Sequence, residues 1–375
     1  MTERDDRRAP EEVFEEALRR TQFRNGNERY LDIAADHLPA VCHHVTRSLG
    51  GTLVNVVGAD ERALDGHFRL YYVFSIDRED RFLILRVRLS GENPEYPSVT
   101  PLLHAASWYE RENQDLLGLK PSGHPYPHRL ALHEDWPEGI YPLRKDFDAS
   151  RRPERVPGRW EVRPVSGEGV FEIPVGPVHA GIIEPGHFRF SVVGETVLEL
   201  AARLFYKHRG VEKLAEGKPF EQACILAERV SGAGSFSHAT AFCQAVERIA
   251  GAEIPDRAKA LRTVFLEMER LYNHVGDVGN LCAGTGLAVG NAQGAILKER
   301  LMQMNERASG HRYLFGINRP GGVRIDLRGN RADDILKTVE SIGKEFRVLA
   351  GMIQASSSNM DRLEGTGVLP NQTAL

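Results

Sequence analysis

Two long series of apolar residues, spaced alternately three and four apart, limit most strongly how this chain can fold. After Pro255, which suits a first helical position, Ala258, Leu261, Phe265, Met268, Tyr272 and Val275 recur at that spacing. After the Asp333 and Asp334 pair, Ile335, Val339, Ile342, Phe346, Leu349 and Ile353 do the same. Only an α-helix brings such positions onto one face, and a stripe this narrow belongs in a helical bundle. The sequence before residue 147 follows a different rhythm. LYYVFSI (69–75) and FLILRVRL (82–89) are β-rich runs joined by the charged turn DRED (77–80), which is a hairpin signal. Leu83, Leu85, Val87 and Leu89 alternate with Ile84, Arg86 and Arg88, so the second strand should bury one face and leave the other partly wet. Ile33 to Leu49 reads as a helix closed by Gly50 and Gly51.

Between the two patterns, residues 148–168 are rich in Arg, Pro and Gly and poor in apolar side chains, the composition of a linker. The expected fold class is therefore α+β, with an N-terminal α+β module followed by a mainly helical bundle. The expected boundaries are a charged segment over 1–29, the α+β domain over 30–147, the linker over 148–168 and the helical domain over 169–375, opening with a β-like stretch from Val170 to Glu195. Within the charged segment, Val13, Phe14, Ala17 and Leu18 form a short amphipathic patch. It reads as a solvated tail, with a docking helix as the alternative.

Composition excludes several classes. With 48 Lys and Arg against 52 Asp and Glu, the net charge is −4, and nothing in bulk draws the chain to nucleic acid or an anionic bilayer. No apolar run reaches the roughly 18 residues of a membrane span, and the opening MTERDDRRAPEE lacks a signal-peptide core. Work at a membrane would need partners. Cys42, Cys224, Cys243 and Cys282 are scattered singly, which suits a reducing compartment and no disulfide framework.

Several motifs reduce to structure. GTGLAVG (284–290) has dinucleotide-loop spacing, but a helical stripe precedes it where such a loop needs a strand, so a helix break is expected. GAG (232–234) fails the same test. Cys42, His43 and His44 are adjacent and would diverge on a helix, with no second ligand pair at zinc-like spacing. His124, His128 and His133 lie in a Pro/Gly-rich stretch that reads as a structured loop.

Two segments resist that treatment. SWYERENQDLLGL (107–119) sets Glu110, Arg111, Glu112 and Asp115 beside Trp108 and Tyr109. It reads equally as a solvated face with intrahelical ion pairs or as an edge that packs on a partner. GPVHAGIIEPGHFRF (176–190) crowds His179, Glu184 and His187 among backbone breaks ahead of a strand, where a partly desolvated glutamate could relay protons.

At these segments the chain resembles a known family. SWYERENQDLLGLKPSGHPYPHRL and GIYPLRKDF are similar to the C subunit of respiratory complex I. GPVHAGIIEPGHFRF, RLFYKHRGVEKLAEGK, AERVSGAGSFSHATAFCQAVE, FLEMERLYNHVGDVG and GINRPGGVR resemble the D subunit, as found in group 4 [NiFe] hydrogenases and formate hydrogenlyase. The C-then-D order is that of the fused large subunit of those hydrogenases. The resemblance implies two thiolates in a Cys-x-x-Cys pair after the motif's arginine, here Arg229, but the two positions are Ser231 and Gly234. Thiolates suit low-valent nickel and iron, whereas serine is a poor ligand and glycine has no side chain. No cysteine follows Cys282, so the sequence as given is expected to build no bimetallic centre and to hold no metal. The tyrosine that the resemblance assigns to quinone binding falls at Gly232. His179 matches a cavity histidine, Glu184 the proton-relay glutamate, and Arg229 an arginine near a neighbouring subunit's terminal cluster.

The resemblance thus implies an oxidoreductase subunit related to NADH-quinone oxidoreductase and energy-converting hydrogenases, without a NiFe centre. Its expected site residues are Glu184, His179, His187 and Arg229. It would bind no cofactor itself, face a partner's [4Fe-4S] cluster, leave quinone binding open, and depend on other subunits for NADH. The implied partners are an iron–sulfur small subunit and membrane-arm subunits, with no nucleic acid, and the implied location is peripheral, on the cytoplasmic face of the membrane. A non-catalytic scaffold and a truncated genuine hydrogenase are the alternatives.

Overall fold

The computed structural model describes residues 9–21, 27–178 and 184–370, apart from the side chains of residues 10, 11, 13 and 20. Its contacts divide the chain into two units, Met1–Lys213 and Leu214–Leu375.

The first unit opens with helix α1 (Pro10–Arg20). It is not a solvated tail: Phe14 is fully buried, and Ala17 and Leu18 pack against the core. Strand β1 (Glu28–Ile33) follows, then a single 3-10 turn and α2 (Leu38–Ser48). The helix expected from Ile33 therefore starts five residues late. Pro39 explains this, because proline fits the first helical turn but would clash with the preceding turn in a helix interior. The far end is as read, with Gly50 left-handed at φ +66°. Leu38, Val41, Cys42 and Val45 form the buried face of α2.

Strands β2 (Thr52–Glu61), β3 (His67–Ile76) and β4 (Arg81–Ser90) complete a four-stranded sheet of order β1-β4-β3-β2, with the short α3 (Arg62–Asp65) between β2 and β3. The anticipated hairpin is present, with β3 antiparallel to β4 and Tyr72 opposite Leu85. Along β4, Leu83, Leu85, Val87 and Leu89 are buried, and so is Ile84, while Arg88 is exposed. The parallel pair β5 (Glu95–Pro97) and β6 (Lys120–Ser122) flanks helix α4 (Ser107–Leu117).

Helix α4 overturns the solvated-face reading for Glu110, Arg111 and Asp115. Glu110 is fully buried and accepts hydrogen bonds from Tyr72 Oη (2.9 Å), Ser98 Oγ (2.5 Å), the Val99 amide (2.8 Å) and Thr100 Oγ1 (2.7 Å). Arg111 donates to the carbonyls of His128 and Arg129, and Asp115 accepts from the Leu130 and Leu132 amides. Arg111 and Asp115 tie the histidine-rich loop down and Glu110 ties down the segment before the helix, so these three are not a solvated face, while Trp108 stays exposed. In the same loop, His124 is buried against Ser107, and His133 reaches the Leu204 carbonyl at 3.1 Å. His44 pairs with Glu15 at 3.0 Å, and burial pushes the Cys42 thiol up.

The stretch 148–166 carries no regular element. Part of it is nevertheless anchored, with the Val156 amide bonded to the Asp135 carbonyl and Arg155 paired with the Asp135 carboxylate. Beyond it lies a three-stranded antiparallel sheet, β7 (Val170–Val175), β8 (His187–Val193) and β9 (Thr196–Arg203). The short α5 (Val211–Ala215) spans the boundary between the units.

The second unit is helical: α6 (Phe220–Ala227), α7 (Ser235–Ala250), α8 (Asp256–Gly284), α9 (Ala288–Ser309), α10 (Asn330–Ala355) and α11 (Ser357–Leu363), with the two-residue strands β10 (Asn318–Arg319) and β11 (Gly322–Val323) in the connection before α10. Both anticipated stripes face its core. Leu261, Phe265, Met268, Tyr272 and Val275 are buried in α8, and Ile342 and Leu349 in α10, where Ile335, Val339, Phe346 and Ile353 pack partly buried beside them. GTGLAVG is the expected break between α8 and α9, turning at Gly286 with φ +79°.

Candidate functional site

The loop from Glu228 to Gly234 joins α6 to α7, and its shape follows from groups that grip it on three sides. Pro219 precedes α6 and sets its start. At the far end, the Glu269 carboxylate from α8 accepts the Phe236 amide (2.7 Å) and the Ser237 amide (3.1 Å), satisfying free N–H groups at the start of α7. One turn further along α8, Tyr272 Oη (2.5 Å) and Asn273 Nδ2 (2.9 Å) both donate to the Ala233 carbonyl. Residues 269, 272 and 273 share one helix face, so one element supplies the whole clamp. Ser235 Oγ donates to the Tyr313 carbonyl.

Ser231 lies at the centre of this loop and Gly234 closes it as the residue before α7. Ser231 Oγ accepts the Gly234 amide at 3.3 Å, and a Cβ placed on Gly234 would stand 3.6 Å from that oxygen. The two positions thus address one small volume, as a chelating pair must. The donor set does not suit nickel and iron, since one position offers a neutral hydroxyl and the other nothing. Among the described residues, no three His, Cys, Asp or Glu side chains are grouped to hold a metal ion.

Arg229 leads into the loop with a half-exposed side chain. Its guanidinium lies 4.9 Å from the centre of the Phe315 ring, and the His311 ring stacks on Phe315 with 4.5 Å between centres. Glu228 is buried, accepts the Gly316 amide at 2.6 Å and stands 3.6 Å from Arg229. Burial pushes its carboxyl up, against the opposing pull of that amide and of Arg229. The turn it holds carries Leu314 at φ +60°, a conformation non-glycine residues seldom adopt.

The other expected residues belong to the first unit. Glu184 is exposed and lines a cavity of about 310 Å³ with Trp108, Leu204, Phe205, Tyr206 and His208 among its walls. Phe205 is itself left-handed, at φ +63°. Burial holds the His208 imidazole below its usual range. His187 begins β8, with Nδ1 3.2 Å from the Gly176 carbonyl and its ring 5.9 Å from Trp160. His179 lies outside the described residues. Sequence reasoning missed Glu228, Glu269, Tyr272, Asn273, His311 and Phe315. The i, i+3, i+4 spacing of 269, 272 and 273 was the available signal.

Three family models match in chain order. The 30-kDa subunit of respiratory-chain NADH dehydrogenase matches residues 31–153, nickel-dependent hydrogenase matches 209–283, and the 49-kDa subunit of respiratory-chain NADH dehydrogenase matches 288–375. Formate hydrogenlyase subunit 5 of Escherichia coli (strain K12) is 37% identical, over 91% of this chain and 61% of its own. Hydrogenase-4 component G of the same strain is 38% identical, over 90% and 62%. The C/D subunit of NADH-quinone oxidoreductase from Bacteroides thetaiotaomicron is 30% identical, over 82% and 61%. A solved chain of the membrane-bound sulfane sulfur reductase, an archaeal respiratory membrane complex, is similar at 28% identity and a TM-score of 0.52, over 57% of each chain. The chain spans about three-fifths of the length of these curated relatives.

Proposed function

Because the chain belongs to the family of formate hydrogenlyase subunit 5, hydrogenase-4 component G and the C/D subunit of NADH-quinone oxidoreductase, we propose that it is an electron- and proton-handling subunit of a membrane-associated oxidoreductase complex. Its partners in this reading are an iron–sulfur subunit and membrane-arm subunits. No helix among the described residues is long and apolar enough to cross a membrane. In this reading attachment runs through those partners, on the cytoplasmic face.

The observation that carries the proposal is the loop after α6. It has a clamped backbone and a half-exposed cation at Arg229, yet the positions that the resemblance assigns to thiolates are Ser231 and Gly234. Such a loop supports charge handling beside a partner's [4Fe-4S] cluster and disfavours a resident NiFe centre. The positive charge of Arg229 favours added electron density nearby through Coulomb attraction, strengthened where protein excludes water. Glu184, at the edge of an aromatic-walled cavity, can take and release a proton, and His179 and His187 supply further relay groups. Quinone binding and any link to NADH are finer assignments within this reading.

Arg229→Met and Glu184→Gln, each introduced into the assembled complex, test it. The proposal expects each to cut electron-transfer activity at least tenfold with assembly intact. Unchanged activity in both would mean that the chain is a scaffold.

A further inference from the structure

The helices flanking this loop carry a second group of reactive side chains, distinct from the residues assigned above. Cys224 on α6 and Cys243 on α7 bring their Sγ atoms to 3.7 Å, and both are buried, with Ala239 and the partly buried Phe242 around them. Cys224 Sγ is also 3.8 Å from the Asn318 carbonyl oxygen. Cys42, on α2, and Cys282, near the end of α8, are not in this cluster.

The pair is asymmetric in access: Cys224 keeps a trace of exposure and Cys243 has none, so an oxidant meets Cys224 first. The hydrogen bond between the two sulfurs favours a thiolate at Cys224. A disulfide needs the sulfurs at about 2.05 Å, so closure asks for side-chain rotation on two neighbouring helices. Any such bond would bracket residues 225–242, the segment that contains Arg229, Ser231 and Gly234.

We propose that Cys224 and Cys243 form a reversible disulfide that staples α6 to α7 and stiffens the loop between them. The oxidant is a low-molecular-weight disulfide. Cys224, as thiolate, attacks one of its sulfurs and releases the first small thiol. Cys243 then gives up its proton and attacks the Cys224 sulfur of the mixed disulfide, releasing the second. Two electrons and two protons pass from the protein thiols to the oxidant, which leaves as two thiols.

The test uses the purified full chain and oxidised glutathione. Remaining thiols are alkylated after denaturation and counted by intact mass, and linked peptides are mapped. The count should fall from the four cysteines of the sequence to two, with one cross-link, between 224 and 243. Amide exchange over 228–235 should slow several-fold and recover with dithiothreitol. Cys243→Ser should instead trap glutathione on Cys224. Four surviving thiols, links through Cys42 or Cys282, or a wild-type mixed disulfide that never closes would overturn the pairing. Unchanged exchange over 228–235 would overturn the stapling.

Discussion

Glu110 shows how far a single side chain can differ from its sequence reading. In SWYERENQDLL it looks like one of several surface charges, but its partners Tyr72, Ser98, Val99 and Thr100 come from β3 and from the segment before α4. No local pattern could announce that convergence. Glu110→Ala strands several buried donors, and an expected loss of about 3–5 kcal/mol follows, measurable by urea unfolding. Asp60 makes the pH-dependent counterpart. Burial pushes its carboxyl up, but hydrogen bonds from Arg62 and from the Lys145 and Arg62 amides outweigh this and bring it down to about 2. A carboxyl depressed on folding stabilises above its unfolded pKa and loses that contribution as pH falls towards the folded value. Asp60→Asn should therefore cost about 1–2 kcal/mol at neutral pH, with the gap from wild type narrowing between about pH 4 and pH 2. A gap independent of pH would contradict this account. Arg229 was singled out because its motif is contiguous and its role stays a proposal, whereas its neighbour Glu228 went unread because nothing in the sequence marks a glutamate as buried.

At the scale of elements, periodicity served where one face meets one core. The β3–β4 hairpin and the stripes of α8 and α10 were readable for that reason, since their spacing alone names the buried face. Strand β1 was not readable: the apolar residues of ERYLDI do not alternate, and it pairs in parallel with the distant β4. The start of α2 was legible in principle through Pro39. The turn between α8 and α9 was read correctly as a break, but the reason for the glycines beyond it is structural. Gly279 and Gly294 let the two helices nearly touch, and a Cβ on Gly294 would stand 2.6 Å from Gly279 Cα. Gly294→Ala should force the helices apart at a cost of about 1–3 kcal/mol. A thermal melt unchanged from wild type would show that the pair tolerates separation.

For the whole molecule, the order of its parts was legible and its chemistry only partly so. An α+β module before a helical unit follows from the shift in period, and the matches to 31–153, 209–283 and 288–375 fall in the same order. The proposed role rests on a clamped loop that carries Arg229 but has no metal donors suited to nickel and iron at 231 and 234. A Cβ built on Gly234 would stand 3.6 Å from Ser231 Oγ, so the two positions address one small volume and what is missing there is thiolate chemistry. Elemental analysis of the purified, assembled complex tests this most directly. The account predicts nickel far below one atom per copy of this chain, with iron accounted for by partner clusters. One nickel per copy, lost on substituting Ser231, would contradict it.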